Sequence, residues 1–174
     1  MNKRLVNNRD LKGLVGKICR NIVNSDWRPD YVVGLTRGGL VPATMISHYL
    51  NIPMHTLNVS LRDNGDSRLG PESNLWMAED AFGYDPDIPT PKILIVDDIN
   101  DSGATINWIM QDWQSGCLPQ DPTWKNVWNN NVKFAVLFDN LASQANVKMD
   151  FVGEEINKAE QDVWIEFPWE NWWE

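Results

Sequence analysis

The stretch at residues 92–106, KILIVDDINDSGATI, constrains the fold of this chain more than any other feature. Four consecutive apolar residues, Ile93 to Val96, are followed at once by two aspartates, then by a third at position 101 and a run of small residues. A short continuous apolar run is typical of a strand that is covered on both faces, as in a parallel sheet. Carboxylates at the end of such a strand are costly to bury without partners. The stretch therefore predicts a buried parallel strand whose carboxyl end carries a functional loop.

The rest of the chain predicts the same alternation of strands and helices. Apolar residues at helical spacing predict helices over 11–23, 41–50 and 104–113. Short apolar runs predict strands at 31–35, 54–59, 93–96 and 132–138, with shorter candidates at 151–152 and 163–165. Because 174 residues, 43% of them hydrophobic, suffice for one core, we expect a single α/β domain over 1–174 with a mainly parallel sheet flanked by helices.

Two segments lack a clear period. Residues 60–91 carry many Asp, Gly, Asn and Pro residues, and a loop of that length in a compact domain is typical of a functional flap or a disordered segment. The polar insert 114–131 contains Trp124 and Trp128, which predict either a partner surface or a capped hydrophobic patch.

Composition excludes several classes of function. Fifteen Lys and Arg against 24 Asp and Glu give a net charge of −9, so we expect no nucleic-acid partner and no anionic membrane partner. No apolar run approaches the roughly 20 residues of a membrane span. Cys19 and Cys117 form no CxxC pair, and the N-terminus lacks the apolar stretch of a signal peptide, which predicts a cytoplasmic location. The two histidines belong to no zinc motif.

Two unusual loops follow predicted strands. In an open α/β sheet, ligands bind beyond the carboxyl ends of the strands, so we expect the loops 36–39 and 97–105 to form one site. Small residues with convergent backbone amides, two hydroxyls and a helix N-terminus favour a phosphate at 102–105. Asp97 and Asp98 would repel that phosphate, but they suit sugar hydroxyls and hydrated Mg²⁺.

Structural roles are the alternative for both loops. Asp97, Asp98 and Asp101 are residue types that commonly cap helices and form turns. The Gly38-Gly39 pair suits a strand-to-helix turn that needs no ligand.

The segment VDDINDSGAT at 96–105 resembles the signature of the type I phosphoribosyltransferases, which is an apolar strand, two acidic residues, two variable ones and Asp-Thr/Ser-Gly-x-Thr. LTRGGLVPA at 35–43 and QDVWIEFPWE at 161–170 are similar to the pyrophosphate loop and the purine-binding segment of bacterial xanthine-guanine phosphoribosyltransferases. The resemblance implies the fold of that family, with a flexible flap at about 60–91 and a small C-terminal hood at about 151–174.

The resemblance also implies an activity, transfer of the 5-phosphoribosyl group from 5-phosphoribosyl 1-diphosphate (PRPP) to a 6-oxopurine such as xanthine, guanine or hypoxanthine. Pyrophosphate is released and Mg²⁺ is the cofactor. Asp97 and Asp98 would bind the ribose hydroxyls and, through water, the metal. Asp101 would be the catalytic base at purine N7. The 5′-phosphate would lie against Asp101, Ser102, Gly103, Ala104 and Thr105.

Further roles are implied for the pyrophosphate and the base. Thr36, Arg37 and Gly38 would hold the pyrophosphate, with a cis peptide at Thr36-Arg37. Arg62 and Arg68 of the flap would be further pyrophosphate contacts or else solvated surface charges. For the base, the implied contacts are stacking on Trp164, the Ile165 carbonyl at the base edge, and Asn140. Core packing is the alternative role of Trp164.

Asn140 marks a departure from the family pattern. Where the purine enzymes place a lysine against the exocyclic oxygen, this chain has Asp139-Asn140, and an amide donates a hydrogen bond without the charge. Two other functions therefore stay open. One is transfer to a pyrimidine or another nitrogen base, and the other is a regulatory or vestigial protein that binds PRPP or a nucleotide without turnover. The resemblance further implies a homo-oligomer, either a dimer or a tetramer.

Overall fold

The fold is seen in a computed structural model, which describes residues 1–59, 73–83 and 87–174. The helices are α1 (Asn8–Asn24), α2 (Leu40–Leu50), α3 (Leu75–Phe82) and α4 (Ala104–Gly116), with a 3-10 helix at Pro122–Asn126. The strands are β1 (Asn2–Leu5), β2 (Tyr31–Thr36), β3 (Met54–Asn58), β4 (Ile93–Asn100), β5 (Val132–Asn140), β6 (Phe151–Ile156) and β7 (Val163–Glu166). No helix in these ranges is long and apolar enough to cross a membrane.

The main sheet has five strands in the order β3-β2-β4-β5-β6, and every pair in it is parallel. The predicted α/β class is therefore confirmed. Because parallel strands share one direction, the carboxyl ends of β2, β3, β4 and β5 meet at the same edge. The last residues of these four strands lie at that edge: Thr36, Asn58, Asn100 and Asn140.

The continuous apolar run of β4 is explained by burial on both faces of the sheet. Successive strand residues point to opposite faces. Leu94 packs with α1 and α2 residues such as Ile18 and Ile46, whereas Ile95 packs with α3 and α4 residues such as Met77 and Ile109. Neither face of β4 reaches water over Ile93–Val96, so no alternation of apolar and polar residues develops before Asp97.

The segment 60–91, expected to be a flap without regular structure, contains helix α3. Asn74 caps it through a side-chain acceptor for the Met77 N–H, and Gly83 ends it in the left-handed conformation. Met77, Ala78 and Ala81 are buried in the core. A helix of eight residues with three inward-facing positions has too few turns for its hydrophobic periodicity to be detected in the sequence. Residues 60–72 and 84–86 of the expected flap lie outside the described residues.

The hood differs from its expected boundary of 151–174. Residues 151–156 form β6, which extends the main sheet beside β5. A separate two-stranded parallel sheet joins β7 to β1, a strand at the N-terminus that the sequence did not predict. Arg4 of β1 donates two hydrogen bonds to Glu154 of β6, at 2.6 and 2.7 Å, so this small sheet is tied to the main one.

The insert 114–131 closes the core rather than forming a free aromatic surface. Trp124 is only 2% exposed, and its indole N–H donates to the Cys117 carbonyl at 2.8 Å. Trp124 stacks on Trp128, which in turn stacks on Phe134 of β5. Of the two sequence alternatives, the capped hydrophobic patch is therefore the one that the structure bears out.

Candidate active site

A pocket of about 170 Å³ opens at the carboxyl edge of the main sheet. Thr36 at the end of β2 and Gly38 in the loop after it line one side, and residues 97–105 line it from the end of β4 and the start of α4. The two loops that the sequence singled out thus share one cavity. Parallel pairing of β2 with β4 is the cause, since it places both strand ends side by side.

Gly38 lies directly against Asp98. A Cβ atom added at Gly38 would meet the Asp98 Oδ2 atom at 2.0 Å, so only glycine admits the carboxylate in this position. The preceding Thr36-Arg37 peptide bond is cis, as the resemblance implied. Thr36 also donates from its hydroxyl to the Asn58 side chain at 3.0 Å, which joins this loop to the end of β3. Arg37 is exposed at the mouth of a second pocket, beside Gly38 and Asp98.

Asp97 and Asp98 belong to β4, which continues to Asn100 instead of ending at Val96. Both residues are half-buried at the pocket. The Asp98 N–H donates to Asp97 Oδ1 at 2.9 Å, and the Ile99 N–H donates to Asp98 Oδ1 at 2.7 Å. These bonds fix the two carboxylates at the pocket wall.

The donor set fits a hydrated Mg²⁺ rather than an enclosed metal cage. Among the described residues there is no group of three or more His, Cys, Asp or Glu side chains that could hold a metal. Mg²⁺ commonly keeps several waters and uses one or two carboxylates together with substrate phosphates. Asp97 and Asp98 offer this kind of support.

The phosphate-type loop is shaped by Gly103. Its φ of 90° favours glycine, and a Cβ there would meet the Ala145 nitrogen at 2.3 Å. The Ser102 carbonyl accepts a hydrogen bond from the Gln144 N–H at 2.8 Å, so the loop after β5 braces this turn. Helix α4 begins at Ala104, and the first N–H groups of a helix have no acceptor within it. The turn therefore presents a helix N-terminus to the pocket.

Asn140, the last residue of β5, is engaged inside the protein. It is 6% exposed, and its amide donates to the Asp101 carbonyl at 3.0 Å. Its side-chain oxygen accepts from the backbone N–H groups of Ala142, at 3.1 Å, and Lys158, at 3.0 Å. The expected role as a donor to the base edge is corrected by this geometry, because the amide is turned toward the Asp101 loop. It positions that loop.

Lys158 is a site residue that sequence reasoning missed. Its ammonium lies 3.1 Å from Asp101 Oδ2 and 5.8 Å from the centroid of the Trp164 ring. It comes from the polar segment between β6 and β7, 57 positions from Asp101. Nothing in the spacing of that segment marks one lysine among its neighbours, so only the fold brings it to the site.

Trp164 faces the site and not the core. It is 40% exposed and lines a pocket with Arg37, Gly38 and Asp98, which removes core packing as its role. The side chain of Ile165, by contrast, is buried at 4% exposure. Asn2 and Val6 of the β1 segment donate to the carbonyls of Asp162 and Glu166, at 3.2 and 2.8 Å.

These two bonds fix the direction of the carbonyls along β7. Successive carbonyls of a strand point to opposite sides. The carbonyls of residues 162 and 166 face β1, and that of Ile165, one position before 166, faces the opposite edge. Ile165 and Trp164 also line a small pocket together with Asp101 and Lys158.

Asn100, a variable position of the motif, has a structural role. Its amide donates to Asp139 at 2.8 Å, and its side-chain oxygen accepts from the Ser143 hydroxyl at 3.1 Å. Burial raises the pKa of Asp139, and the hydrogen bond from Asn100 opposes that shift. Asn100 thus joins the ends of β4 and β5.

Arg62 and Arg68, the expected flap contacts, lie outside the described residues.

The chain belongs to the phosphoribosyl transferase domain family, whose sequence model matches residues 1–171. Its relatives include the xanthine-guanine phosphoribosyltransferase of Idiomarina loihiensis, with 28% identity over 142 residues, 80% of this chain and 70% of the relative. Xanthine phosphoribosyltransferase 1 of Saccharomyces cerevisiae is 26% identical over 117 residues, 59% of this chain. The match spans little more than half of the yeast protein's length, 56%.

The fold also matches solved structures. The purine phosphoribosyltransferase from Pyrococcus horikoshii Ot3 superposes with a TM-score of 0.65 at 22% identity. The superposition covers 98% of this chain and 96% of that one. The likeness therefore extends over the main sheet and the hood together.

Proposed function

We propose that the protein is a Mg²⁺-dependent purine phosphoribosyltransferase, which transfers the 5-phosphoribosyl group of PRPP to a 6-oxopurine and releases pyrophosphate. The observation that carries the proposal is the contact between the two loops, in which Gly38 admits the Asp98 carboxylate beside the α4 N-terminus. Xanthine, guanine and hypoxanthine are the bases we propose, because relatives bear the names of enzymes for these bases.

PRPP carries phosphates, which need hydrogen-bond donors and cations, and ribose hydroxyls, which need acceptors. The site offers both kinds of partner. Its 5′-phosphate suits the amides and hydroxyls of residues 102–105, at the positive end of the α4 dipole. Its ribose hydroxyls suit Asp97 and Asp98, since carboxylates accept hydrogen bonds. Its pyrophosphate suits the loop at 36–38, where the exposed Arg37 is a cation that lines the second pocket together with Gly38 and Asp98. The resemblance assigns these same roles.

The proposed reaction breaks the bond between the anomeric carbon and the pyrophosphate oxygen and forms a bond from that carbon to a purine nitrogen. Positive charge develops on the ribose, and the nearby carboxylates of Asp97 and Asp98 stabilise it. Bound Mg²⁺ supplies neutralisation of the leaving group. Asp101, which lines the pocket, would accept the proton that the base loses, as a general base at N7.

The base is proposed to stack on Trp164, whose ring is exposed to the pocket. The Ile165 carbonyl, directed away from β1, would accept a hydrogen bond from the base edge. Aromatic stacking and a single main-chain acceptor orient a planar ring without fixing its identity. The choice among bases therefore depends on the charged groups beside the ring.

The test is a pyrophosphate-release assay with PRPP, Mg²⁺ and each of the three bases, with adenine and orotate as comparison acceptors. We expect product with at least one 6-oxopurine. Asp101→Asn should lower kcat by about 100-fold or more, the usual contribution of a general base. Asp26→Asn is the matched control, because Asp26 is exposed in the loop before β2, at the opposite edge of the sheet.

Each alternative gives a different result in the same experiment. Turnover with orotate alone would favour a non-purine base. Calorimetric binding of PRPP or a nucleotide, with no pyrophosphate released for any base, would favour the regulatory or vestigial function. If no base gives product while Asp101→Asn binds PRPP as the parent does, the proposed catalytic route is wrong. Assembly as a dimer or tetramer stays a prediction, which sedimentation analysis measures.

A further inference from the structure

The base side of the site contains a cation that no motif marks. Lys158 is half-buried, with 19% of its side chain exposed, and its ammonium lies between the Asp101 carboxylate and the face of Trp164. Residues lining the small pocket around it include Asp101, Trp164 and Ile165. Among the described residues that line this pocket, Lys158 is the only one with a positively charged side chain.

Asn140 holds both members of the ion pair in place. Its side-chain oxygen accepts the Lys158 backbone N–H at 3.0 Å, and its amide donates to the Asp101 backbone carbonyl at 3.0 Å. A single buried side chain thus joins the segment that carries the ammonium to the loop that carries the carboxylate. These bonds preorganise the pair, which lowers the cost of ordering a long lysine side chain.

The position of this cation beside Asp101 and Trp164 suits a contact with the substituent at position 6 of a purine. N7 and that substituent lie on the same edge of the ring, where guanine offers two acceptors, N7 and O6, and adenine offers the N7 acceptor beside an N6 donor. If Asp101 faces N7, a group 3.1 Å from Asp101 along that edge reaches position 6. An ammonium has three donors and no acceptor, so it pairs with an oxygen and opposes an amino group.

We propose that Lys158 is the specificity residue of the base site, which selects purines with an oxygen at position 6 over purines with an amino group. In this inference, which rests on the proposed function, Asp101 holds the ammonium and Asn140 is the positioning residue for both. A lysine is thereby supplied from the segment between β6 and β7, whereas the end of β5 has Asp139-Asn140 instead.

The experiment compares inosine and adenosine 5′-monophosphates by calorimetry, because these nucleotides differ in the position-6 group and binding needs no turnover. We expect the parent to bind the inosine nucleotide at least tenfold more tightly. Lys158→Met should reduce this preference to less than threefold, whereas Lys158→Arg should retain it. Lys12→Met is the matched control, since it removes the same charge from an exposed position on α1.

Two results would overturn the inference, a parent that binds both nucleotides equally and a Lys158→Met protein that keeps the full preference. Thermal melting is measured on each variant, and Lys158→Gln replaces Lys158→Met if the latter does not fold. The pyrophosphate assay reports on the proposed function separately. A protein that discriminates through Lys158 but releases no pyrophosphate would contradict the transferase function alone, and active transfer with unchanged base preference in Lys158→Met would contradict this inference alone.

Discussion

The contact between Gly38 and Asp98 gives the sharpest test of the site. In Gly38→Ala, the new methyl group would lie 2.0 Å from Asp98 Oδ2 and 2.5 Å from its Cγ, whereas ordinary van der Waals contact begins at 3.4 Å. The carboxylate must therefore retreat by about 1.4 Å. Asp98 is half-buried beside an open pocket, so its side chain has room to turn away without disturbing the core.

The expected cost appears in function and not in stability. A misplacement of about 1 Å in a positioned group can cost about 100-fold in rate. We therefore expect kcat/KM for PRPP to fall about 100-fold, which corresponds to about 2.7 kcal/mol of transition-state stabilisation. The free energy of unfolding should change by less than about 1 kcal/mol, because the displaced carboxylate moves toward solvent.

The assay is pyrophosphate release against PRPP concentration, with urea unfolding measured on the same preparations. Gly13→Ala is the matched control, since a Cβ at Gly13 would meet nothing within 4 Å in the middle of α1. Helix propensity predicts that this control stabilises the protein by about 0.5–1 kcal/mol with unchanged kinetics. Parent-like kinetics in Gly38→Ala would refute the reasoning that Asp98 must stay against residue 38.

Three further predictions concern how the site and the hood are held. Gly103→Ala should lower the free energy of unfolding by about 3 kcal/mol in urea titrations, because a positive φ and a Cβ against the Ala145 backbone both oppose it; an unchanged midpoint would contradict the geometry. Asn140→Ala should cost about 2 kcal/mol in the same assay by leaving buried polar groups unpaired, and a neutral effect would mean that water replaces the amide. The hydrogen bonds from Arg4 lower the pKa of Glu154, so the stabilisation of this pair is present above the ordinary glutamate value of 4.5 and is lost as pH falls through the lowered one. Because the pair is exposed, Glu154→Gln should lower the free energy of unfolding by at most about 1 kcal/mol at pH 7, and this difference should shrink as the pH falls below 4.5; a difference that grows toward acid would contradict the sign.

Local patterns predicted much of the main sheet. The apolar runs of β2, β4 and β5 and the helical spacing of α1, α2 and α4 were all assigned to the correct type. Strand ends were less certain, since β4 continues through Asp97 and Asp98 to Asn100. A polar residue stops the apolar signal in sequence, but parallel pairing with β5 continues because it depends on backbone hydrogen bonds.

Elements defined by distant partners escaped detection. Strand β1 has the exposed, mixed sequence NKRL and exists because it pairs with β7, about 160 positions away. Helix α3 is eight residues long and gains its stability from three buried side chains rather than from its own propensity. In both cases the stabilising contacts come from tertiary packing, which local periodicity does not contain.

The sequence by itself determined the type of sheet and the loop that follows its central strand, because burial on both faces and small residues before a helix leave local signatures. It also determined where Asp97, Asp98 and Asp101 stand relative to the phosphate-type turn, since all lie within nine positions. Only the tertiary structure decided which groups come together beside Asp101. Lys158 reaches Asp101 from 57 positions away, and Asn140 turns inward to hold them both. Such pairings depend on how two strand ends and one connecting segment meet in space, a relation that no spacing along the chain encodes.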